Sequence, residues 1–345
     1  MGQSQVRASQ PESHLLEACN NPQSVSMMID AAPDLLCEEE LGIPQAPDLG
    51  RLDSDLTEWR SMLGWTGQSV PCERKPIGSR QKIVVISDPH CPYLDENALR
   101  TCIQRDAADA DLCVVTGDVA NLGAFSSFPK YVYEPPAVEQ FRSVQKFLIA
   151  LNESFPRVEV MGGNHDARQL NYLVRTKEVA PDILDLFRQI APGALNLLIP
   201  AVAELENVKL VGAAEYQDAK FTFFHQVGDI VFGHAEVYSK IGGRAVHNFA
   251  HWLKSLAEPY GLVKPFRVVC QGHTHQQCSV AGDYGLRLYE LGCMTRFPDY
   301  AGNPKLRGAP RPWWVGYHVF VQYNGVTDLN ESYAVDLSPW RQRVH

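Results

Sequence analysis

Asp88, His90, Asp118, Asn164, His165, His234, His273 and His275 fall in five short stretches: Asp88-Pro89-His90, Gly117-Asp118, Gly163-Asn164-His165-Asp166, Gly233-His234 and Gly272-His273-Thr274-His275. Carboxylates, imidazoles and one carboxamide, with no cysteine among them, suit borderline divalent ions such as Mn²⁺, Fe²⁺ or Zn²⁺ rather than a structural thiolate zinc site. Seven ligand side chains are too many for one four- to six-coordinate ion, whereas two ions sharing a bridging carboxylate would use them all. Two ions roughly 3.5–4 Å apart can clamp both the attacking and the leaving oxygen of a phosphoryl transfer. The residue types therefore point to phosphoester chemistry.

Something must bring five distant stretches to one point. Each follows a short apolar run of strand length, rich in β-branched residues: Ile83 to Ile86, Leu112 to Val115, Val158 to Met161, Ile230 to Phe232 and Arg267 to Cys270. In an open α/β sheet the loops at the carboxyl ends of neighbouring strands converge on one crevice. Helices are expected between the strands at Glu96 to Asp106, Val138 to Asn152, Asp182 to Ile190 and Val246 to Ala257, an alternation that argues α/β. Strand-like segments at Leu286 to Leu291 and Tyr317 to Tyr323, with no long helix between them, are expected to form a second sheet.

The ordered set D-x-H, GD, GNHD, GH and GHTH resembles the calcineurin-like metallophosphoesterase superfamily from Lys82 to about Asn324. Asp88-Pro89-His90-Cys91-Pro92-Tyr93, Leu291-Gly292-Cys293, Phe297 to Gly302 and Trp313-Trp314 resemble its branch found in bacteriophage and prophage genomes. The resemblance implies a two-sheet β-sandwich flanked by helices. It implies that Asp88, His90 and His275 bind one ion, Asp118 bridges, and Asn164, His234 and His273 complete a second site. Mn²⁺ is the first choice of metal, with Fe²⁺, Zn²⁺ or Ni²⁺ as substitutes. In the same reading His165 protonates the leaving oxygen, Arg168 contacts phosphate, and Asp166 supports the site from outside the metal shell by orienting a histidine. Many members carry an aspartate where this chain has Asn121. A neutral amide can still orient the imidazole, but raises its pKa less than a carboxylate would.

The implied reaction is in-line attack on phosphorus by a metal-activated hydroxide. A phosphodiester is the expected substrate, in DNA, RNA or a nucleotide, making the chain a nuclease or phosphodiesterase. The alternatives are a phosphomonoesterase or protein phosphatase, suggested by Arg168, and an inactive scaffold, against which the intact set of side chains argues.

The chain has 345 residues, 45% of them apolar, enough for a sizeable core, and a net charge of −9. Residues 1–80 hold 6 basic and 12 acidic residues, so much of the negative charge lies outside the motif-bearing part. The expected organisation is an acidic arm and linker over residues 1–79, partly helical or disordered, and a catalytic domain over residues 80–345. Ser13 to Asn20 and Asp53 to Leu63 are the helix candidates of the arm. No apolar run reaches the roughly 20 residues of a membrane span and no secretion signal is visible. Nine cysteines without a C-x-x-C pair read as reduced thiols. The expected location is therefore the cytoplasm of a bacterium or phage-infected host. Oligomeric state is left open.

Three other features have a duller reading beside a functional one. His247 and His251 are four apart on a predicted helix, a zinc-capable spacing, but Asn248 stands where a metalloprotease needs glutamate. Gly242-Gly243-Arg244 could present a helix start to phosphate, or be a plain turn. Trp313-Trp314 could stack a base, or seal a loop.

Overall fold

The computed structural model describes residues 57, 58, 60, 61, 79–126, 135–175, 196–212, 224–296 and 313–338. All lie within the unit Gly50–His345. The helix candidate Ser13 to Asn20, the helix expected at Asp182 to Ile190 and the segment Phe297 to Gly302 lie outside the described residues. Of Asp53 to Leu63, the described residues Thr57, Glu58, Arg60 and Ser61 are helical.

Two sheets form the frame. The first contains strands β1 (Arg80–Ile86), β2 (Leu112–Thr116), β3 (Val158–Met161), β4 (Val208–Val211), β10 (Gly316–Tyr323) and β11 (Val326–Asp336), in the order β11-β10-β1-β2-β3-β4. Strands β1 to β4 run parallel, while β10 pairs antiparallel with β1 and β11 with β10. The second contains β5 (Phe224–Val227), β6 (Ile230–Gly233), β7 (Val268–Gln271), β8 (Gln277–Ala281) and β9 (Arg287–Leu291), in the order β5-β6-β7-β9-β8. Here β6, β7 and β9 are parallel and the two edge strands antiparallel.

Side-chain alternation explains why the sheets stack. On β1, Ile83 and Val85 face a cluster with Leu112, Val114 and Phe320 of the same sheet and with Ile230, Phe232, Val268 and Cys270 of the other. Val84 and Ile86, one residue out of phase, join Cys113, Val115 and Val158 under Phe147, Leu148 and Leu151 of the helix Ala137–Ser154. The outer face of the second sheet, with Val231, Val269 and Leu288, is covered by Val246, Phe249 and Ala250 of the helix Arg244–Trp252. A strand buried on both faces must be apolar at every position, as β1 is from Ile83 to Ile86. The result is α/β: a two-sheet sandwich flanked by helices.

Among the described residues from 79 onward the α-helices are α1 (Glu96–Cys102), α2 (Ala137–Ser154), α3 (Arg168–Arg175), α4 (Leu198–Val202) and α5 (Arg244–Trp252). Both α1 and α5 continue into a π-turn, at Ile103–Ala107 and Leu253–Ala257, so the helical runs match the periodicity that predicted them. Asp95 caps α1 by accepting from the N–H groups of Asn97 and Ala98 at 3.1 and 3.0 Å, an arrangement worth about 1 kcal/mol.

One expectation is corrected. The segment Tyr317 to Tyr323 belongs to the first sheet, beside β1, and not to the second. Its apolar content suits either sheet. Its partner is decided by long-range pairing, including the hydroxyl of Tyr317, which donates at 2.6 Å to buried Asp106 beyond α1. Only Leu286 to Leu291 enters the second sheet, as β9.

Within β10, His318 is buried beside Trp314, Tyr289 and Phe320, with ring centroids 5.3, 6.0 and 6.0 Å away. Burial pushes its pKa down from 6.5 to about 3. Because the folded value lies below the unfolded one, the unfolded chain takes up this proton first as the pH falls. The stabilising contribution is complete above the unfolded pKa of about 6.5 and is lost towards the folded pKa of about 3, at about 1.4 kcal/mol per pH unit. The variant His318→Leu is expected to lose about 3 kcal/mol less stability than the parent between pH 6.5 and 4.5 in denaturant titrations. Parallel pH dependences would show that His318 is not neutral in the fold.

Candidate metal centre

Strands β1, β2, β3, β6 and β7 end just before the five motif stretches, and the loops that follow are tied to one another. The N–H groups of His90 and Cys91 donate to the carbonyls of Asp118 and Val119 at 2.9 and 2.8 Å, and Asn121 N–H returns to Cys91 at 3.0 Å. Gly272 N–H donates to Gly233 at 3.0 Å, which links the loops of the second sheet in the same way.

Asp88, His90, Asp118, His273 and His275 all have positive φ, between 46° and 77°. Left-handed backbone is uncommon outside glycine, though Asp and His tolerate it better than most, and it concentrates where surrounding structure over-determines a functional loop. The glycines of the motifs have a different reason. A Cβ at Gly117, where φ is +93°, would meet His234 Nδ1 at 2.7 Å, and one at Gly272 would meet Asp88 Oδ2 at 2.8 Å.

Each carboxylate is held by one side and offers the other. Asp118 Oδ1 accepts from His165 N–H at 2.8 Å, while Oδ2 lies 3.2 Å from His234 Nε2, 3.6 Å from His90 Nε2 and 3.8 Å from His165 Nε2. Asp88 Oδ2 accepts from the Ser87 hydroxyl and from His273 N–H, at 3.0 Å in the latter case. Asp88 Oδ1 faces His275 Nε2 at 3.1 Å and His90 Nε2 at 3.7 Å. The Nε2 atoms of His90 and His275 are themselves 3.0 Å apart. Electron pairs converging this closely call for a proton or a cation between them. Three overlapping groups could hold an ion: Asp88, His90 and His275; Asp118, His234 and His273; and His90, Asp118 and His165.

The outer contacts fit such an ion. His234 Nδ1–H donates to the Thr116 carbonyl at 2.6 Å, which directs Nε2 at Asp118, and a carbonyl on the far nitrogen is the usual support of a ligating histidine. Asn164 Oδ1 lies 2.9 Å from His273 Nδ1, so that the carboxamide joins the same cluster. Burial would push both aspartates up. For Asp88, His234 and His275 outweigh it and hold the carboxyl well below its ordinary range; for Asp118, His165 and His234 do so. Burial holds His90 and His165 down, and His273 at about 4. His234 moves the other way, to about 10, because Asp118 and Asp88 overcome its burial. Two ionised carboxylates thus face three imidazoles that burial pushes towards neutrality and one, His234, that they hold protonated, a positive charge that a divalent cation could replace.

Three predicted residues sit differently from expectation. His165 Nδ1–H donates at 3.1 Å to the main-chain carbonyl of Asn121, a contact any residue at 121 would supply. Arg168 donates to that same carbonyl and to His165 Nε2, both at 2.7 Å, which assigns the neutral Nδ1–H tautomer. Asp166 does not orient a histidine: its carboxylate accepts from the N–H groups of Val119, Ala120 and Gly163 at 3.2, 2.8 and 2.8 Å, pinning two motif loops together. Burial and nearby Asp118 push it up to about 7 despite those three amides.

Sequence reasoning missed Thr295, whose hydroxyl donates to the Asp88 carbonyl at 2.5 Å, and Glu290. Buried Glu290 accepts from the Thr274 hydroxyl at 3.3 Å and lies beside the main chain at the start of α5; burial pushes its pKa up, and the N–H dipoles of Gly243, Val246 and Ala245 only partly oppose this. A buried carboxylate beside that helix start favours the plain turn over a phosphate seat for Gly242-Gly243-Arg244. Of the tryptophan pair, Trp314 is buried, while Trp313 packs edge-on against His275 at 4.3 Å.

Comparison with known proteins follows from this geometry. No curated protein matches the chain. Among solved structures, a conserved protein from Streptococcus pneumoniae described as a predicted phosphoesterase is 12% identical over 75% of this chain and 98% of its own, with a TM-score of 0.28. A dimetal phosphatase from Danio rerio is 10% identical over 76% and 100%, with a TM-score of 0.39. Vps29 from Chaetomium thermophilum is 8% identical over 74% and 95%, with a TM-score of 0.33. The family model described as calcineurin-like phosphoesterase matches residues 81–277, more than half of the chain and the part that carries all five motif stretches. The chain belongs to the calcineurin-like phosphoesterase family.

Proposed function

We propose that this chain is a two-metal phosphodiesterase acting on nucleic acid or a nucleotide. Asp88, His90 and His275 hold one ion, Asp118 bridges, and Asn164, His234 and His273 complete the second. The observation that supports this most directly is the inward oxygen of Asp118, within 4 Å of three imidazole nitrogens while its other oxygen is fixed by a main-chain N–H. Divalent ions, Mn²⁺ first and Fe²⁺, Zn²⁺ or Ni²⁺ as substitutes, would supply Lewis acidity and an activated water.

The protein's own part falls to His165 and Arg168. The Asn121 carbonyl holds the ring by Nδ1, so Nε2 is the atom available for proton transfer, and Arg168 now donates to it. A phosphate oxygen competes for that guanidinium, and its negative charge raises the affinity of Nε2 for a proton that can pass to the leaving oxygen. One guanidinium suits the single negative charge of a diester better than the two of a monoester.

The same reading assigns the chain to the phage-type branch, on Asp88-Pro89-His90-Cys91-Pro92-Tyr93 and the Trp313-Trp314 pair, and to the cytoplasm. Among the described residues no helix is long and apolar enough to cross a membrane. A membrane or periplasmic fraction containing the protein, or a gene set among housekeeping genes, would overturn these assignments. We place the catalytic domain at residues 80–345, with residues 1–79 as an arm.

Elemental analysis is expected to find two ions per chain in the cleft centre, and His165→Gln is expected to retain both while losing roughly 10²–10⁴-fold in rate. The loss should be smallest for substrates whose leaving group needs no proton. Loss of an ion would instead make His165 a ligand, as its group with His90 and Asp118 allows.

With Mn²⁺, an aryl phosphodiester should be hydrolysed faster than the matching monoester, and single-stranded oligonucleotides faster than duplex, because unstacked nucleotides can enter a crevice. Faster monoester turnover with every metal, together with no cleavage of any oligonucleotide or cyclic nucleotide, would make the enzyme a phosphatase.

A chain starting at Ser79 loses the ion pair of Arg60 with Glu153 on α2, a partly exposed contact worth up to about 1 kcal/mol. It should fold and keep turnover of small substrates. Unfolding, seen by circular dichroism, would show that the arm completes the core.

A further inference from the structure

A second group of metal-ligating side chains lies outside the cleft. His247 and His251 are one turn apart on α5, with ring centroids 4.7 Å apart. Across from them, Asp283 sits on the short turn Asp283–Gly285 that joins β8 to β9. One oxygen of that carboxylate, Oδ2, lies 3.4 Å from His247 Nε2 and 2.9 Å from His251 Nε2. The three ligand atoms fall within 4.8 Å of one another.

We infer that His247, His251 and Asp283 form a peripheral site for a borderline transition-metal ion, of which Zn²⁺ is the representative, independent of the two-ion centre. The argument is one of spacing and support. Bonds of about 2.0–2.2 Å from a tetrahedral ion to imidazole nitrogen and carboxylate oxygen place neighbouring ligand atoms about 3.4 Å apart. The observed 3.4 and 2.9 Å need only a small opening to reach that spacing.

Both elements are fixed from beneath. Ala250, Leu286 and Leu288 are buried and line the floor of the recess, so the helix face and the turn cannot drift apart without exposing apolar surface. The turn is held by Leu286 N–H donating to Asp283 at 3.2 Å and Gly282 N–H donating to Leu286 at 2.9 Å. Tyr284 occupies left-handed backbone, at φ 60° and ψ 21°, and its ring stands edge-on to His251 at 6.3 Å. The ligands themselves remain accessible, with side-chain exposures of 38%, 48% and 60% for His247, His251 and Asp283, so an ion can enter from solvent and keep water as a further ligand. Two imidazoles and one carboxylate select zinc, nickel or copper over magnesium or calcium, which prefer all-oxygen sites.

The test uses the full-length protein and its His247→Gln and His251→Gln variants. Each is stripped with chelator, equilibrated with Zn²⁺, desalted and analysed for zinc. The parent is expected to retain one zinc per chain more than either variant. Added Zn²⁺ should raise its melting temperature further than theirs, while rates of ester hydrolysis in the metal-loaded proteins stay the same. Circular dichroism establishes that the variants are folded. Equal zinc content and equal zinc-induced stabilisation in all three proteins would overturn the site and reduce the cluster to an ion pair. Because the comparison counts a difference in zinc, it stands whether or not the cleft proves to hold two ions.

Discussion

Two buried carboxylates that face the same two imidazoles, those of His90 and His234, are the constraint around which this molecule is organised. Asp88 and Asp118 lie in the protein interior, where an ionised group without compensation is costly. Every loop that reaches them brings some compensation: the imidazoles of His90, His165, His234 and His275, the N–H groups of His165 and His273, and the hydroxyl of Ser87. The two parallel strand sets bring together loops that lie far apart in the chain, and the tight hydrogen bonds between those loops keep the charges from separating. The sandwich can be seen as a device for holding like charges close.

Much of this was legible in the chain, and the reason is physical. β1 is buried on both faces and so reads as an unbroken apolar run from Ile83 to Ile86, and the ligands begin where such a run must end. The helices expected at Glu96 to Asp106, Val138 to Asn152 and Val246 to Ala257 matched because an amphipathic face repeats every turn. What failed to read through were choices set by contacts across long sequence distances. Nothing in Tyr317 to Tyr323 says which sheet it joins, since both offer an apolar surface, and the pairing with β1 is made across more than two hundred residues.

The site shows the same division. Ligand types and their order could be read because metals demand particular atoms, but the partners of Asp166 and Asn121 could not. Asp166 serves three main-chain amides, and Asn121 serves His165 through its carbonyl, and main-chain groups leave no signature in residue identity. Glu290 was invisible for a similar reason: only the fold brings it to the Thr274 hydroxyl and to the start of α5.

Glu290 gives the cleft a direction. A helix start normally offers positive potential to an anion, yet here a buried carboxylate lies beside it and also touches Thr274 between two of the cleft histidines. That carboxylate weakens the attraction this helix start would offer a phosphate. On the opposite flank stands Arg168, whose guanidinium is aimed at His165. If the substrate is an anionic phosphodiester, as proposed above, it meets an asymmetric field, attracted by Arg168 on one side and facing a buried carboxylate behind the other.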